Sequence, residues 1–334
     1  MGKVQMDEVF TAVNSSSGNG YDEEYTLRNL FEAPGAGVGA TKAAVPEGQV
    51  TLRDMLTEYI AGNYGTKSGA SDVENYVNEL IESGYQVYWP YSENWDGETF
   101  PLITFDPGYG IESNYGYEIR IGQNGARVVD SVYVDEAVAM ERPVWVINRN
   151  SDAGFTPLEM FLTKGNTGAG GDTRGASSGK NLVLKSFTML RNYDSWFEGA
   201  SEFYIRCGSL AGCEAASESD FATFSPTVTE FLLVVKRIQL GKQIPVNTMM
   251  VTDFTDQIDK IALLITEDDG GTRTSWKCSA TLKYKSKTYG FDVELPYNEK
   301  DDIVWRGPVS TSYFTENPYT VGRFGDVKIT FALE

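Results

Sequence analysis

Carboxylates and aromatic rings are the groups with which this sequence can do chemistry. It contains no histidine, so a serine or cysteine nucleophile would lack its usual imidazole base, and a zinc centre would lack its commonest nitrogen ligand. Acidic side chains are abundant, 47 Asp+Glu against 28 Lys+Arg, and two stretches concentrate them next to glycine. The first, NYDSWFEGASE, carries Asp194, Glu198 and Glu202. The second is Glu267-Asp268-Asp269-Gly270-Gly271. Hard cations take about six to eight oxygens from carboxylates and carbonyls on flexible loops. Asp194, Glu198, Glu202, Asp268 and Asp269 are therefore the candidate metal ligands, with calcium as the cation such donors suit; two solvated turns are the alternative.

Paired carboxylates could also serve a glycosidase, which needs two of them roughly 5–10 Å apart in a cleft. Asp96 and Glu98 beside Trp95, or the turn at Glu267 to Asp269, could be placed in that role. No spacing singles out either pair, so no catalytic residue is assigned. The third chemical feature is aromatic. The stretch VYWPYSENWDGETFPLITFDP, followed by Tyr109, offers Trp89, Tyr91, Trp95 and Tyr109 as a platform for a carbohydrate or peptide, because such rings give a large rigid contact surface. The competing expectation is that they plug a core between helices and a sheet.

Charge and hydropathy narrow the partners. A formal charge of -19 repels nucleic acid phosphates and anionic lipid headgroups. No run of about 20 apolar residues exists to span a membrane; the longest, such as Phe231 to Val235, has the length of a strand. Three cysteines, Cys207, Cys213 and Cys278, cannot all pair internally. The GSLAG loop between the first two is flexible enough to bring their sulfurs together in an oxidising compartment, which leaves Cys278 reduced and buried in its strand.

The elements that must position these groups follow from periodicity. Residues Leu27 to Phe31, Thr51 to Ile60 and Ser71 to Ser83 show helical spacing, with Thr51 and Ser71 as candidate caps and Gly84 as a stop. From Tyr85 the texture becomes β, through Pro101 to Phe105, Gly116 to Ile121, Arg127 to Val134 and Val144 to Ile147, with turn signals that favour antiparallel hairpins. TKGNTGAGGDTRGASSGK has six glycines and cannot bury a core, so it reads as a linker or exposed loop. About seven strands follow, among them Leu182 to Leu190, Glu202 to Cys207, Thr227 to Ile238, Lys260 to Thr266, Trp276 to Tyr284, Lys287 to Leu295 and Asp326 to Leu333. A tight hairpin is expected at Ser286-Lys287.

The pattern of a strand, an Asp/Gly-bearing loop and a strand, answered later by a second acidic loop, resembles a C2-type β-sandwich. This resemblance covers about the last 150 residues and implies that the two acidic loops share one end of the sandwich, where C2 domains bind calcium. The sequence departs from that family in carrying Glu198 and Glu202 where further aspartates are usual. The VYWPYSENWDGETFPLITFDP stretch resembles the N-terminal regions of bacterial secreted proteins, some of which sit beside metalloprotease modules; without histidine no peptidase activity follows. The Ser/Gly-rich patch Asn14 to Gly20 and the wealth of Tyr, Trp, Asn and Gly resemble exported proteins of Bacteroides-type gut bacteria, many of them lipoproteins.

The expected architecture is an α+β N-terminal module over 1-150 with helices and a small antiparallel sheet, a Gly-rich linker over 151-180, and an all-β antiparallel C2-like sandwich over 181-334. The expected protein is a noncatalytic, exported binding or adhesion-type molecule, periplasmic or at the cell surface, with a lipid anchor if its signal carries one. Its ligand would be an extracellular glycan or protein. The alternative is a carboxylate-dependent, glycosidase-like hydrolase.

Overall fold

Two periodicities alternate along the chain and give a strand-rich fold. The computed structural model describes residues 23–32, 52–64, 70–96, 99–108, 110–123, 127–149, 180–315 and 319–334. Tyr109, Glu98 and nearly all of the Gly-rich segment lie outside the described residues. The chain divides into two units, Met1–Thr156 with Asp194–Gly199, and Pro157–Tyr193 with Ala200–Glu334.

The first unit has the strands β1 (Glu24–Thr26), β2 (Tyr85–Tyr88), β3 (Leu102–Phe105), β4 (Ser113–Ile121), β5 (Arg127–Asp135) and β6 (Val144–Arg149), and the helices α1 (Leu27–Glu32), α2 (Leu52–Tyr64), α3 (Ala70–Glu82) and α4 (Glu136–Glu141). The sheet order is β1-β2-β6-β3-β4-β5. Apolar residues four apart on α3, Val73, Val77 and Ile81, bury together with Phe31 and Ile60. Tyr25, Leu30, Val87 and Trp89 form an adjoining cluster, with Trp145 and Ile147 packed against it. Helix α3 begins at Ala70, so Ser71 lies inside its first turn rather than capping it, and Gly84, at φ 73°, takes the left-handed conformation that ends the segment.

One expectation needs correction here. Strands β3 and β6 run parallel, with Leu102 to Phe105 opposite Val144 to Ile147, so the sheet is mixed. The chain leaves β3, makes the β4–β5 hairpin, turns through α4 and returns in the same direction. That detour supplies the crossover length a parallel pair requires.

The second unit contains ten described strands: β7 (Lys180–Met189), β8 (Ser201–Ser209), β9 (Thr227–Val235), β10 (Ile244–Phe254), β11 (Ile258–Glu267), β12 (Arg273–Tyr284), β13 (Lys287–Asn298), β14 (Asp302–Ser310), β15 (Tyr319–Phe324) and β16 (Val327–Leu333), with the short helix α5 (Ser312–Thr315). All their pairings are antiparallel. One sheet runs β10-β7-β16-β15; the other runs β13-β12-β11-β8-β9, with β14 also paired to β11. Leu182, Leu184, Phe187 and Met189 of the first sheet and Phe203, Ile205, Cys207, Leu263 and Ile265 of the second belong to one buried cluster. The rings of Phe187 and Phe203 meet at 5.0 Å across it.

Strands β8 and β11 are buried on both faces. Their outer face is covered by the β12–β13 hairpin, whose Val293 and Leu295 lie over Gly208. Strands β10, β14 and β15 go beyond the expected set. Each carries a signal that weakens its pattern: Pro245 with the left-handed Asn247 and Asp253, Gly307-Pro308, and Gly322. The β12–β13 turn sits one residue earlier than expected. Tyr284 pairs with Lys287, and Lys285 takes φ 55°. Among the described residues no helix is long and apolar enough to cross a membrane.

Candidate functional site

Alternation within strands β4 and β5 builds the most distinctive surface of the first unit. In an extended strand successive side chains point to opposite faces. Tyr115, Tyr117 and Ile119 therefore share one face of β4, and Val129, Ser131 and Tyr133 share one face of β5. The antiparallel register sets Tyr115 against Tyr133, Tyr117 against Ser131 and Ile119 against Val129. Ile103 lies opposite Tyr117, which places Ile103 and Phe105 of β3 on the same face. The pairing of Phe105 with Ile147, and of Ile147 with Val87, carries that face on across β6 and β2.

The helices decide which part of the face stays open. Val87, Trp145 and Ile147 are packed into the cluster beneath α1 and α2, whereas among the described residues no helix packs on the β3–β4–β5 part. Tyr115 is 66% exposed, Tyr133 52%, and Phe105 and Tyr117 47% each. The four rings form two edge-to-face pairs, Tyr115 with Tyr133 at 6.2 Å and Phe105 with Tyr117 at 6.4 Å. At roughly 150–250 Å² per ring, half exposure of four rings leaves some 300–500 Å² of contiguous aromatic surface. That lies in the range where the largest patch of a soluble protein is often functional.

Two electrostatic features accompany it. No charged side chain lies on this face of β3, β4 and β5 among Ile103, Phe105, Tyr115, Tyr117, Ile119, Val129, Ser131 and Tyr133. Glu118, Arg120 and Asp130 occupy the opposite parity, where Arg120 pairs with Asp130 and Glu118, and Arg142 with Glu118 at 3.0 Å; Asp135, two residues beyond Tyr133, shares the aromatic face and stands at its rim. The hydroxyls of Tyr115, Tyr117 and Tyr133 make no hydrogen bond among the described residues, and each remains available to a ligand. Tyr133 also borders an open cleft of about 450 Å³ lined by Glu112, Ser113, Asp135, Glu136 and Ala137. Two of its carboxylates have structural work: Asp135 Oδ1 accepts from the Val138 amide and caps α4, and Glu136 Oε1 accepts from the Tyr91 hydroxyl at 2.7 Å.

The aromatic residues singled out from sequence lie elsewhere. Trp89 and Tyr91 are 5% and 8% exposed, so they follow the core alternative rather than forming an open platform. Trp89 packs edge-on against Trp95 at 5.3 Å and against Trp145 at 5.8 Å. Trp95 is partly buried and donates its indole N–H to the Thr99 carbonyl. Asp96 accepts from both the amide and the hydroxyl of Thr99, closing the turn. The exposed tyrosines were visible as β-alternation, but alternation alone does not say which face a helix covers.

The candidate metal ligands are distributed as follows. Asp194 and Glu198 belong to the segment grouped with the first unit, where Glu198 Oε2 accepts from the Ser195 amide. In the second unit Glu202 and Glu267 are buried, with carboxylate oxygens within 4.8 Å of each other, and the Glu202 amide donates to Glu267 Oε1. Asp268 Oδ1 accepts from the Gly270 amide and from Asn298 Nδ2, shaping the acidic turn, and Asp269 is exposed.

Arg191, three residues before Asp194, is exposed and is not the buried counter-charge of the acidic stretches. Arg191 lies over the Tyr193 ring at 4.3 Å, near Asp302 and Asp326. Arg206 in the middle of β8 instead pairs with Glu230 at 2.6 Å and donates to Thr266 Oγ1. Thr266 in turn reaches Asp301, whose carboxyl is pushed above the ordinary range by burial and by the neighbouring Asp268.

Cys207 and Cys213 are free thiols in the core, so the expected bridge does not form. Cys207 lies mid-strand, paired with Leu263 and Thr229, its backbone held on both sides. Burial pushes its thiol up to about 12 and that of Cys213 to about 11. Cys278 is free and only half-buried.

No protein-family model, curated protein or solved structure matches this chain.

Proposed function

We propose that this chain is a noncatalytic, exported binding protein that holds an extracellular ligand, a glycan or a protein segment, on the bare aromatic half of its first sheet. The second unit is read as a C2-like β-sandwich that serves as scaffold. The observation that carries the function is the row Phe105, Tyr115, Tyr117 and Tyr133: four rings about half or more exposed on one face, with no charged residue between them. Leaving such surface in water forgoes about 25 cal/mol per Å², a cost that a ligand would recover. Rigid rings on paired strands also lose little conformational freedom on binding, which suits recognition.

Binding and hydrolysis are separated by one experiment. The protein is passed over immobilised polysaccharides and unstructured peptides of different charge, and the eluted ligands are assayed for new reducing ends or new amines. Retention of an unchanged ligand by the wild type, lost in Tyr115→Ala/Tyr133→Ala, is the expected result. Release of reducing ends would favour the carboxylate-dependent hydrolase. Equal retention of wild type and variant on every ligand would remove the aromatic face from the function.

A further inference from the structure

Resting on that reading of the aromatic face, we infer that its ligand is a neutral polysaccharide, bound by ring stacking and by the three tyrosine hydroxyls. The first ground is charge. The chain carries -19 overall, so a polyanionic ligand is repelled at long range. The residues between the rings are Ile103, Ile119, Val129 and Ser131, and the carboxylate of this face, Asp135, lies beyond Tyr133 with Oδ1 engaged in capping α4, so a cationic ligand finds no counter-charge between the rings. The ligand that loses least on this surface carries no charge at all.

The second ground is the chemistry of the rings. A purely apolar protein surface would bury three phenol hydroxyls that have no partner among the described residues. Desolvating each unpaired hydroxyl offsets part of what burying its ring returns. A pyranose chain presents the complementary pattern, with patches of C–H on the faces of each ring and hydroxyls around the edges. Its C–H faces fit against the tyrosine and phenylalanine rings while its hydroxyls meet those of Tyr115, Tyr117 and Tyr133.

The third ground is geometry. The two ring pairs have interplanar angles of 82° and 79°, so each sets a ring face beside a ring edge. Their centres are displaced across neighbouring strands, which lie about 5 Å apart, a step comparable with one sugar residue. The row is open along its length, as an extended chain requires. At its Tyr133 end the cleft with Glu112 provides a polar rim. A second copy of this chain is a poorer occupant, because two molecules of the same high charge would have to meet on a face without ion pairs.

Affinity electrophoresis tests this with soluble polysaccharides of one backbone type in neutral, carboxylated and aminated forms, alongside a tyrosine-rich peptide and sedimentation of the protein alone. The expected result is retardation by the neutral polymer, weakened roughly tenfold in Tyr115→Ala and Tyr133→Ala. Tyr115→Phe and Tyr133→Phe, which keep the ring and the fold, should weaken it by about 3- to 10-fold. Ring-dependent binding of a charged polymer or the peptide, or a ring-dependent dimer, would overturn the neutral glycan while leaving the aromatic face as a binding surface. Absence of any ring-dependent binding would overturn both.

Discussion

Gly208→Ala is the sharpest test of how the second unit is put together. A Cβ at this position would lie 2.3 Å from Val293 Cγ1, 3.2 Å from Val293 Cβ and 3.4 Å from Leu295 Cδ2. The valine methyl would have to retreat by more than 1 Å to reach ordinary contact. Val293 is 1% exposed and, being β-branched, has one strongly preferred rotamer in a packed setting. Movement must therefore come from the β13 backbone, which is paired to β12 along its whole length. Overpacking of this kind costs about 1–3 kcal/mol, and the depth of the clash puts this case at about 3 kcal/mol. For a unit of this size that lowers Tm by roughly 6–12 °C.

Val293→Ala alone removes two methyl groups and should cost about 2 kcal/mol. Combined with Gly208→Ala it makes room for the new methyl, so the double variant should be more stable than the sum of the two effects by at least about 1 kcal/mol. Urea titration followed by far-UV circular dichroism and tryptophan fluorescence measures all four proteins. A Gly208→Ala variant within about 0.5 kcal/mol of wild type, or strictly additive effects, would refute the packing of the β12–β13 hairpin on β8.

Arg206→Met removes the buried guanidinium from the partly buried Glu230 and should cost about 3 kcal/mol in the same assay; a loss below about 1 kcal/mol would mean that the pair is solvated. The two buried thiols make stability fall in alkali. A group whose pKa is raised by folding contributes fully below its unfolded value, so the loss begins near pH 9 and continues towards pH 11–12, at up to about 1.4 kcal/mol per pH unit for each thiol. Cys207→Ala should flatten that slope, and native protein at pH 8 should take up an alkylating label at Cys278 before Cys207 or Cys213; equal labelling of all three would contradict their burial. Asp301 holds its proton above the ordinary carboxylate range, so the stability it contributes is present at low pH and lost as pH rises through that raised value. Asp301→Asn should melt above wild type at pH 7 and level with it near pH 3, and a lower melting temperature at pH 7 would show that the ionised carboxylate is favoured by its partners.

Composition and alternation were enough to specify a strand-rich chain with antiparallel pairing in its C-terminal half. Period-two patterning is local, and each strand of the β12–β13 hairpin bears it openly. Period-3.6 spacing likewise marked α2 and α3. The strands that escaped notice, β10, β14 and β15, are those in which Pro, Gly or a left-handed residue interrupts the pattern, and neighbouring strands supply the hydrogen bonds that override it.

Burial on both faces was less legible. The sequence by itself placed Glu202, Tyr204 and Arg206 at alternating positions of a strand, which ordinarily means a solvated face. In the fold Val293 and Leu295 of β13 lie over this face at Gly208, and the missing side chain there permits that approach. The same division holds for the aromatic rings. Their number, their rigidity and the lack of any histidine partner were written in the residues. Whether a ring fills a core, as Trp89 does beneath α1, or meets solvent, as Tyr115 does on β4, depends on where the helices end on the sheet, and that is set by the sum of long-range contacts that no local window contains.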